Sequence, residues 1–160
     1  MRLYLVHHGE AVPPDVDVRL PLSAEGQRHA ERLAAEAAAK GVKPAVVWHS
    51  GKLRAKQTAE RFWRACNPLA AMVAMRNLQP ADLPEWMRDR LRLEAADEAS
   101  RDILVVGHFP HLPRLLTLLL TGDEANRLVF PPHGLVALET TDGGETWREV
   151  WRSDTPSTPE

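Results

Sequence analysis

Apolar residues in this chain gather into short runs that stop on glycine or histidine, with longer stretches of mixed polarity between them. Leu3-Tyr4-Leu5-Val6 is rich in strand formers and gives out at His7-His8-Gly9-Glu10, so it predicts a first strand that exits onto two imidazoles. The prolines and aspartates of residues 10–21 predict a loop. Ser23 then stands as an N-cap before an alanine-rich helix over 24–40, closed by Gly41. Pro44 to Trp48 predicts a second strand, leaving through His49-Ser50-Gly51 into a helix over 52–63. A short run over 70–75 predicts a third strand, residues 78–84 a turn, and Glu85 to Ala99 a helix with charges of both signs on its solvent side. Ile103-Leu104-Val105-Val106 is the most continuous β-branched run, as a strand buried on both faces requires, and it exits onto Gly107-His108. A helix starts around Phe109-Pro110-His111 and runs through Leu120, and residues 135–140 and 146–151 flank a glycine-rich turn as a hairpin.

Alternation of strands and helices predicts a three-layer α/β/α fold, with a mainly parallel sheet and helices on both faces. A single domain over residues 1–152 accounts for the whole pattern, and 153–160, made of Ser, Thr, Pro and acids, is expected to be a disordered tail.

Composition narrows the function. With 44% apolar and 26% charged residues in 160, the chain can bury a core, and its formal net charge of -2 draws it neither to nucleic acid nor to an anionic membrane. An anion site must therefore come from local placement of arginine and histidine. The single cysteine, Cys66, cannot close an internal disulfide, and no apolar run approaches the roughly 18 residues of a membrane span. The expected location is the cytoplasm, with no nucleic-acid or membrane partner.

In a parallel sheet all strand exits share one edge, so His7-His8, His49-Ser50 and His108 are expected to converge there. Arg54 falls in the opening turn of the helix after the second strand, where unpaired backbone amides already favour an anion. A cation there adds little to the helix and much to an anionic ligand. Imidazoles beside such a guanidinium suggest a phosphate pocket: a neutral imidazole attacks phosphorus, while fixed donors stabilise charge on the non-bridging oxygens.

His8-Gly9-Glu10 after an apolar strand, Pro21-Leu22-Ser23-Ala24-Glu25-Gly26, Ser50 with Leu53-Arg54-Ala55-Lys56-Gln57-Thr58, and Val106-Gly107-His108 together resemble the histidine phosphatase (phosphoglycerate-mutase-like) superfamily. Short length and the Gly107-His108-Phe109-Pro110 wording resemble its SixA-like phosphohistidine phosphatase branch. The resemblance implies His8 as the nucleophile that becomes phosphohistidine, Arg54 as the phosphoryl clamp and His108 as a donor to its oxygens. It implies a Gly9 carbonyl that orients the His8 ring, with His7, Arg19 and Ser50 as further phosphate or substrate contacts. Asp82 and Glu85 are the candidate general acids. It implies no metal and no cofactor, and a phosphorylated partner: a phosphohistidine protein or a small activated phosphomonoester.

Two positions depart from the family pattern. Arg19-Leu20-Pro21-Leu22 is one residue out of step with the usual Arg-Pro-Leu. His7 stands where the family has arginine, exchanging a permanent cation for a ring that ordinarily titrates near 6.5. Either activity is weakened or the bound dianion holds His7 protonated, and His7→Arg is then expected to raise turnover most at alkaline pH; if the side chain turns to the other face of the strand, the substitution changes nothing. The rival readings are a binder of phosphorylated ligands without turnover and a metal-dependent hydrolase built on His7, His8 and His108. His29 reads as a surface residue, His49 as pocket wall or surface, and His111 and His133 as rim residues.

Overall fold

The computed structural model describes residues 1–153. In chain order it contains β1 (Arg2–His7), α1 (Ala24–Ala39), β2 (Val46–His49), α2 (Leu53–Cys66), β3 (Ala71–Ala74), α3 (Pro84–Ala96), β4 (Ile103–Gly107), α4 (His111–Thr121), β5 (Leu135–Glu139) and β6 (Arg148–Ser153). One six-stranded sheet has the order β3-β2-β4-β1-β5-β6. The pairs β2–β3, β2–β4 and β1–β4 are parallel, whereas β5 runs against β1 and β6 against β5.

Strand alternation divides the core in two. Leu3, Leu5, Ile103 and Val105 point to the face covered by Met87 and Leu91 of α3 and by Leu112, Leu115, Leu116 and Leu119 of α4. Tyr4, Val6, Leu104 and Val106 point to the other face, against Leu33, Ala34 and Ala37 of α1 and Ala55, Ala59 and Phe62 of α2. Small residues on α1 and α2 let both helices lie close on the sheet, and Phe62, fully buried, fills the space between. Its truncation to alanine is worth about 3–5 kcal/mol. The expected three layers are therefore present, with a mainly parallel sheet and an antiparallel hairpin at one edge.

Element boundaries follow local chemistry. Ser23 Oγ accepts the Gly26 N–H at 3.0 Å and so caps α1. Gly122, at φ +88°, ends α4 in the left-handed conformation a Cβ disfavours. One expectation needs adjustment. Ser153, assigned to the tail by its composition, instead closes β6, where it is buried and donates through Oγ to Glu36 Oε1 at 2.8 Å. The rest of the expected tail, 154–160, lies outside the described residues. Among those described, no helix is long and apolar enough to cross a membrane.

The topology sets up the site. In register His7 lies opposite Gly107, and His49 opposite Val106, so the exits of β1, β2 and β4 are side by side. Because β5 is antiparallel to β1, it begins where β1 ends: Val6 pairs with Leu135, and the His7 N–H donates to Gly134 O at 3.0 Å. The segment leading into β5 is thereby brought to the same edge.

Candidate active site

Four imidazoles meet at this edge. The His8 ring lies 4.5 Å from His7, 5.0 Å from His108 and 6.1 Å from His133, centroid to centroid. His8 Nδ1 is 2.7 Å from Gly9 O. A carbonyl oxygen only accepts, so Nδ1 carries the proton and Nε2 is left with its lone pair. Burial pushes the ring's pKa down to about 4; the Gly9 contact opposes this, and Arg54 and His133 add to it. The free protein thus holds His8 neutral, in the state a nucleophile requires.

Arg54 sits in the first turn of α2, and its pKa is lowered by burial. Its charge is felt by His7, His8 and His108, which places the guanidinium with the imidazoles rather than across the molecule. Thr58 holds this arrangement. Its Oγ1 accepts the Gly9 N–H at 2.9 Å and donates to Arg54 O at 2.9 Å, tying the exit of β1 to the turn that carries the guanidinium. Thr58 is 1% exposed, so both bonds form out of water, where losing a partner costs most. Gln57 adds a second tie by accepting the Leu22 N–H at 2.7 Å. Gly26 permits the approach of α1: a Cβ there would stand 2.1 Å from the backbone oxygen of Glu10.

His108 and Ser50 form a pair, Nε2 to Oγ, at 2.6 Å. Burial, followed by the effect of His8 and Arg54, takes the His108 pKa down to about 3. Its Nδ1 is buried without a partner. Ser50 is further fixed through its carbonyl, which accepts from Gln79 Nε2 at 2.8 Å.

His7 does not turn away from the site. Its ring is stacked between Phe109, at 4.0 Å and 7°, and His133, at 4.7 Å and 13°. Its Nδ1 accepts the His133 backbone N–H at 2.7 Å, and His133 Nδ1 in turn donates to His8 O at 2.7 Å. Burial, then the neighbouring imidazoles and Arg54, push the His7 pKa down to about 2. In the free protein the His7 ring is therefore neutral, with a pKa well below the range in which a histidine ordinarily titrates. His133, read from the sequence as a rim residue, contacts both His7 and His8.

One ring nitrogen each of His7, His8 and His133 lies within 4.8 Å of the others, a spacing that suits a cation. The converging set differs from the His7, His8 and His108 of the rival metal reading. His7 Nδ1 is already committed to the His133 N–H, which puts the proton on Nε2 and leaves two lone pairs instead of three.

Other candidates stand apart. Arg19 is exposed, and its guanidinium pairs with Asp17 at 2.9 Å without contacting the histidines. Asp82 Oδ2 accepts the Gln79 N–H at 2.9 Å, closing a turn, and its charge is felt by His111. Glu85, in the first turn of α3, has a buried Oε2 with no partner and neighbours Glu124. His111 is fully buried with both ring nitrogens unpartnered. A cavity of about 180 Å³ between α3, the end of α4 and the residues before β6 is lined by Arg88, Arg92 and Trp147, and none of the clustered residues lines it.

Comparison with known proteins agrees with this geometry. Residues 3–91, more than half of the chain, match the sequence model of the Histidine phosphatase superfamily (branch 1). No curated protein matches the sequence. A structure of the protein histidine phosphatase SixA complexed with tungstate superimposes with a TM-score of 0.85 at 22% identity, covering 97% of each chain. A SixA-type phosphohistidine phosphatase from Agrobacterium tumefaciens gives 0.72 at 24%, over 95% of this chain and 96% of that one. The mycobacterial glucosyl-3-phosphoglycerate phosphatase complexed with VO3 gives 0.71 at 19%, over 94% and 98%. A strand exit bearing His8-Gly9, a helix opening on Arg54, a second exit bearing His108 and a sequence match through all but the last of these place the chain in branch 1 of the histidine phosphatase superfamily.

Proposed function

We propose that the protein is a phosphatase that works through a covalent phosphohistidine on His8 and acts on phosphohistidine or on small activated phosphomonoesters. The observation that carries this reading is the fixed tautomer of His8, with Nδ1 held by Gly9 O and Arg54 tied to the same glycine through Thr58.

The His8 Nε2 lone pair attacks phosphorus. A P–N bond forms to His8 as the bond to the leaving group breaks, and the leaving nitrogen or oxygen departs with the electron pair and takes up a proton. Water then attacks the phosphohistidine, the P–N bond breaks, Nε2 recovers its lone pair, and inorganic phosphate leaves with the water oxygen. Arg54, His108 and the opening amides of α2 face the charge that builds on the non-bridging oxygens, and Ser50 aims His108. His7 completes the phosphate side of the pocket, while Gly9, with its N–H on Thr58 and its carbonyl on His8 Nδ1, orients the nucleophile instead of touching phosphate. These groups supply the field without a metal, so activity is expected to survive a chelator.

Proton delivery favours the substrate class. Asp82 closes a turn and Glu85 lies beside Glu124, so neither is aimed at the histidines by a contact. A protonated imidazole departs more readily than an alkoxide and needs less help from an acid. That consideration, with the SixA phosphohistidine phosphatases among similar structures, supports N–P substrates over simple alkyl phosphates. Hydrolysis of a phosphohistidine peptide, an aryl phosphate and an alkyl phosphate by the parent and by His8→Ala tests it. Expected is turnover in that descending order, abolished by His8→Ala; equal rates on all three, or activity surviving in His8→Ala, overturns it.

A further inference from the structure

His7 replaces a guanidinium with a ring that has one free edge, and the backbone decides what that edge offers. The His133 N–H, which only donates, points at His7 Nδ1 from 2.7 Å. Nδ1 must then hold a lone pair, so the proton of the neutral ring resides on Nε2. Protonating Nδ1 would set two N–H groups against each other at that distance. The ring cannot escape by rotating, because Phe109 stacks on one face at 4.0 Å and His133 on the other at 4.7 Å. His133 itself is held at φ +55°, a conformation uncommon for a residue with a Cβ. Its own Nδ1 bond to His8 O and the Gly134 O contact to the His7 N–H keep it there.

Resting on the reading of His8 as the phosphoryl acceptor, we propose that His7 is a specificity-determining neutral donor, giving an Nε2–H to a phosphoryl oxygen in a tautomer imposed by the backbone of His133. His8 and His133 present the opposite pattern, with Nδ1–H bound to carbonyl oxygens and lone pairs on Nε2. Adjacent imidazoles are thereby sorted into one donor and two acceptors by backbone contacts alone. Arg54, with Lys52 at the N-cap of α2 acting on His108, then carries the fixed positive charge against the phosphoryl group, one cation fewer than an arginine at position 7 would give. A pocket with that weaker field is restricted to phosphoryl groups on leaving groups that depart readily, and it holds the product phosphate loosely. His133 is a positioning residue in this scheme.

The groups that face His7 are His8, His133, His108 and Arg54, and each disfavours a second proton on the ring. Its donor character is therefore expected to be constant across the working pH range.

Nitrogen-15 NMR of the imidazoles reads the tautomer in the unmodified protein, with inorganic phosphate as the probe. Expected is a His7 ring protonated at Nε2 and bare at Nδ1 from about pH 8 to about pH 5.5, with the Nε2–H signal shifting as phosphate binds. A His7 imidazolium, or a proton on Nδ1, overturns the proposal. Two variants test the donor separately: His7→Gln keeps an N–H near the Nε2 position, and His7→Asn can accept the His133 N–H but is too short to carry its own N–H to that position. Phosphate affinity in His7→Gln is expected within about threefold of the parent, and in His7→Asn about tenfold or more weaker, the usual cost of a lost hydrogen bond to a charged group. Equal weakening in both overturns the donor role. Because these readouts need no turnover, they succeed or fail independently of whether His8 is ever phosphorylated.

Discussion

Burying four neutral imidazoles makes the fold sensitive to mild acid. In the unfolded chain each histidine titrates near 6.5. In the folded protein burial, reinforced by neighbouring charges, holds His7 near 2, His108 near 3, and His8 and His111 near 4. A folded pKa below the unfolded one means that the unfolded chain binds more protons, so stability is greatest above about pH 6.5 and falls as pH drops toward the folded values. Between about pH 6 and pH 5 each ring contributes close to one proton, and one proton is worth about 1.4 kcal/mol per pH unit, so four give a slope of about 5 kcal/mol per unit. That is comparable with the whole stability of a typical domain, about 5–15 kcal/mol. Paired surface carboxylates such as Asp142 and Glu139 add their share at lower pH. Urea unfolding followed by tryptophan fluorescence at several pH values measures the slope. His111→Leu, which removes a fully buried ring that makes no hydrogen bond, should lower it by about one proton. A slope of about one proton or less in the parent would refute the reasoning, since the rings would then be ionised or solvated in the folded state.

Further outcomes follow from individual contacts. Thr58→Val keeps the shape but leaves Gly9 N–H without its acceptor, so a cost of about 1–3 kcal/mol in urea midpoint is expected, with a larger fractional loss in kcat than in KM as Arg54 drifts. Gly26→Ala forces the 10–22 loop off α1, and a loss above about 2 kcal/mol is expected with reduced activity; retention of the parental melting temperature would contradict the close approach. Ser50→Ala leaves the buried His108 Nε2 without its partner and should lower kcat/KM about tenfold or more, as measured on an aryl phosphate, at a cost of about 1–3 kcal/mol in stability. His7→Arg should raise phosphate affinity by a similar factor at about pH 6 and about pH 8.5, because the parent ring is neutral at both; a gain confined to alkaline pH would restore the titrating ring.

Much of the site could be read from sequence because its parts lie at strand exits. A continuous apolar run marks a parallel strand, and whatever polar residue follows it must emerge at the shared edge, which located His8, Ser50 and His108 without coordinates. Arg54 was legible as a cation that a helix start does not need. Thr58 was hidden because its role depends on how closely α2 approaches Gly9, a tertiary distance that periodicity does not encode. His133 reads from sequence as a rim residue that could touch substrate, yet a stronger signal is present: the hairpin starting at Leu135 is antiparallel, and an antiparallel strand beside β1 starts where β1 stops. Its leading residues therefore had to reach His7. Arg19 shows the converse, since a local bond to Asp17 two residues away captures a side chain whose spacing suggested the pocket.

The central claim concerns one nitrogen, His8 Nε2, and rapid quenching during turnover of a labelled phosphohistidine or aryl phosphate tests it most directly. Expected is an acid-labile, alkali-stable phosphoryl group on His8, at up to one per chain, formed and lost at rates that support turnover and absent from His8→Ala. Steady hydrolysis with no label on His8, or tight phosphate binding with neither label nor hydrolysis, would contradict it.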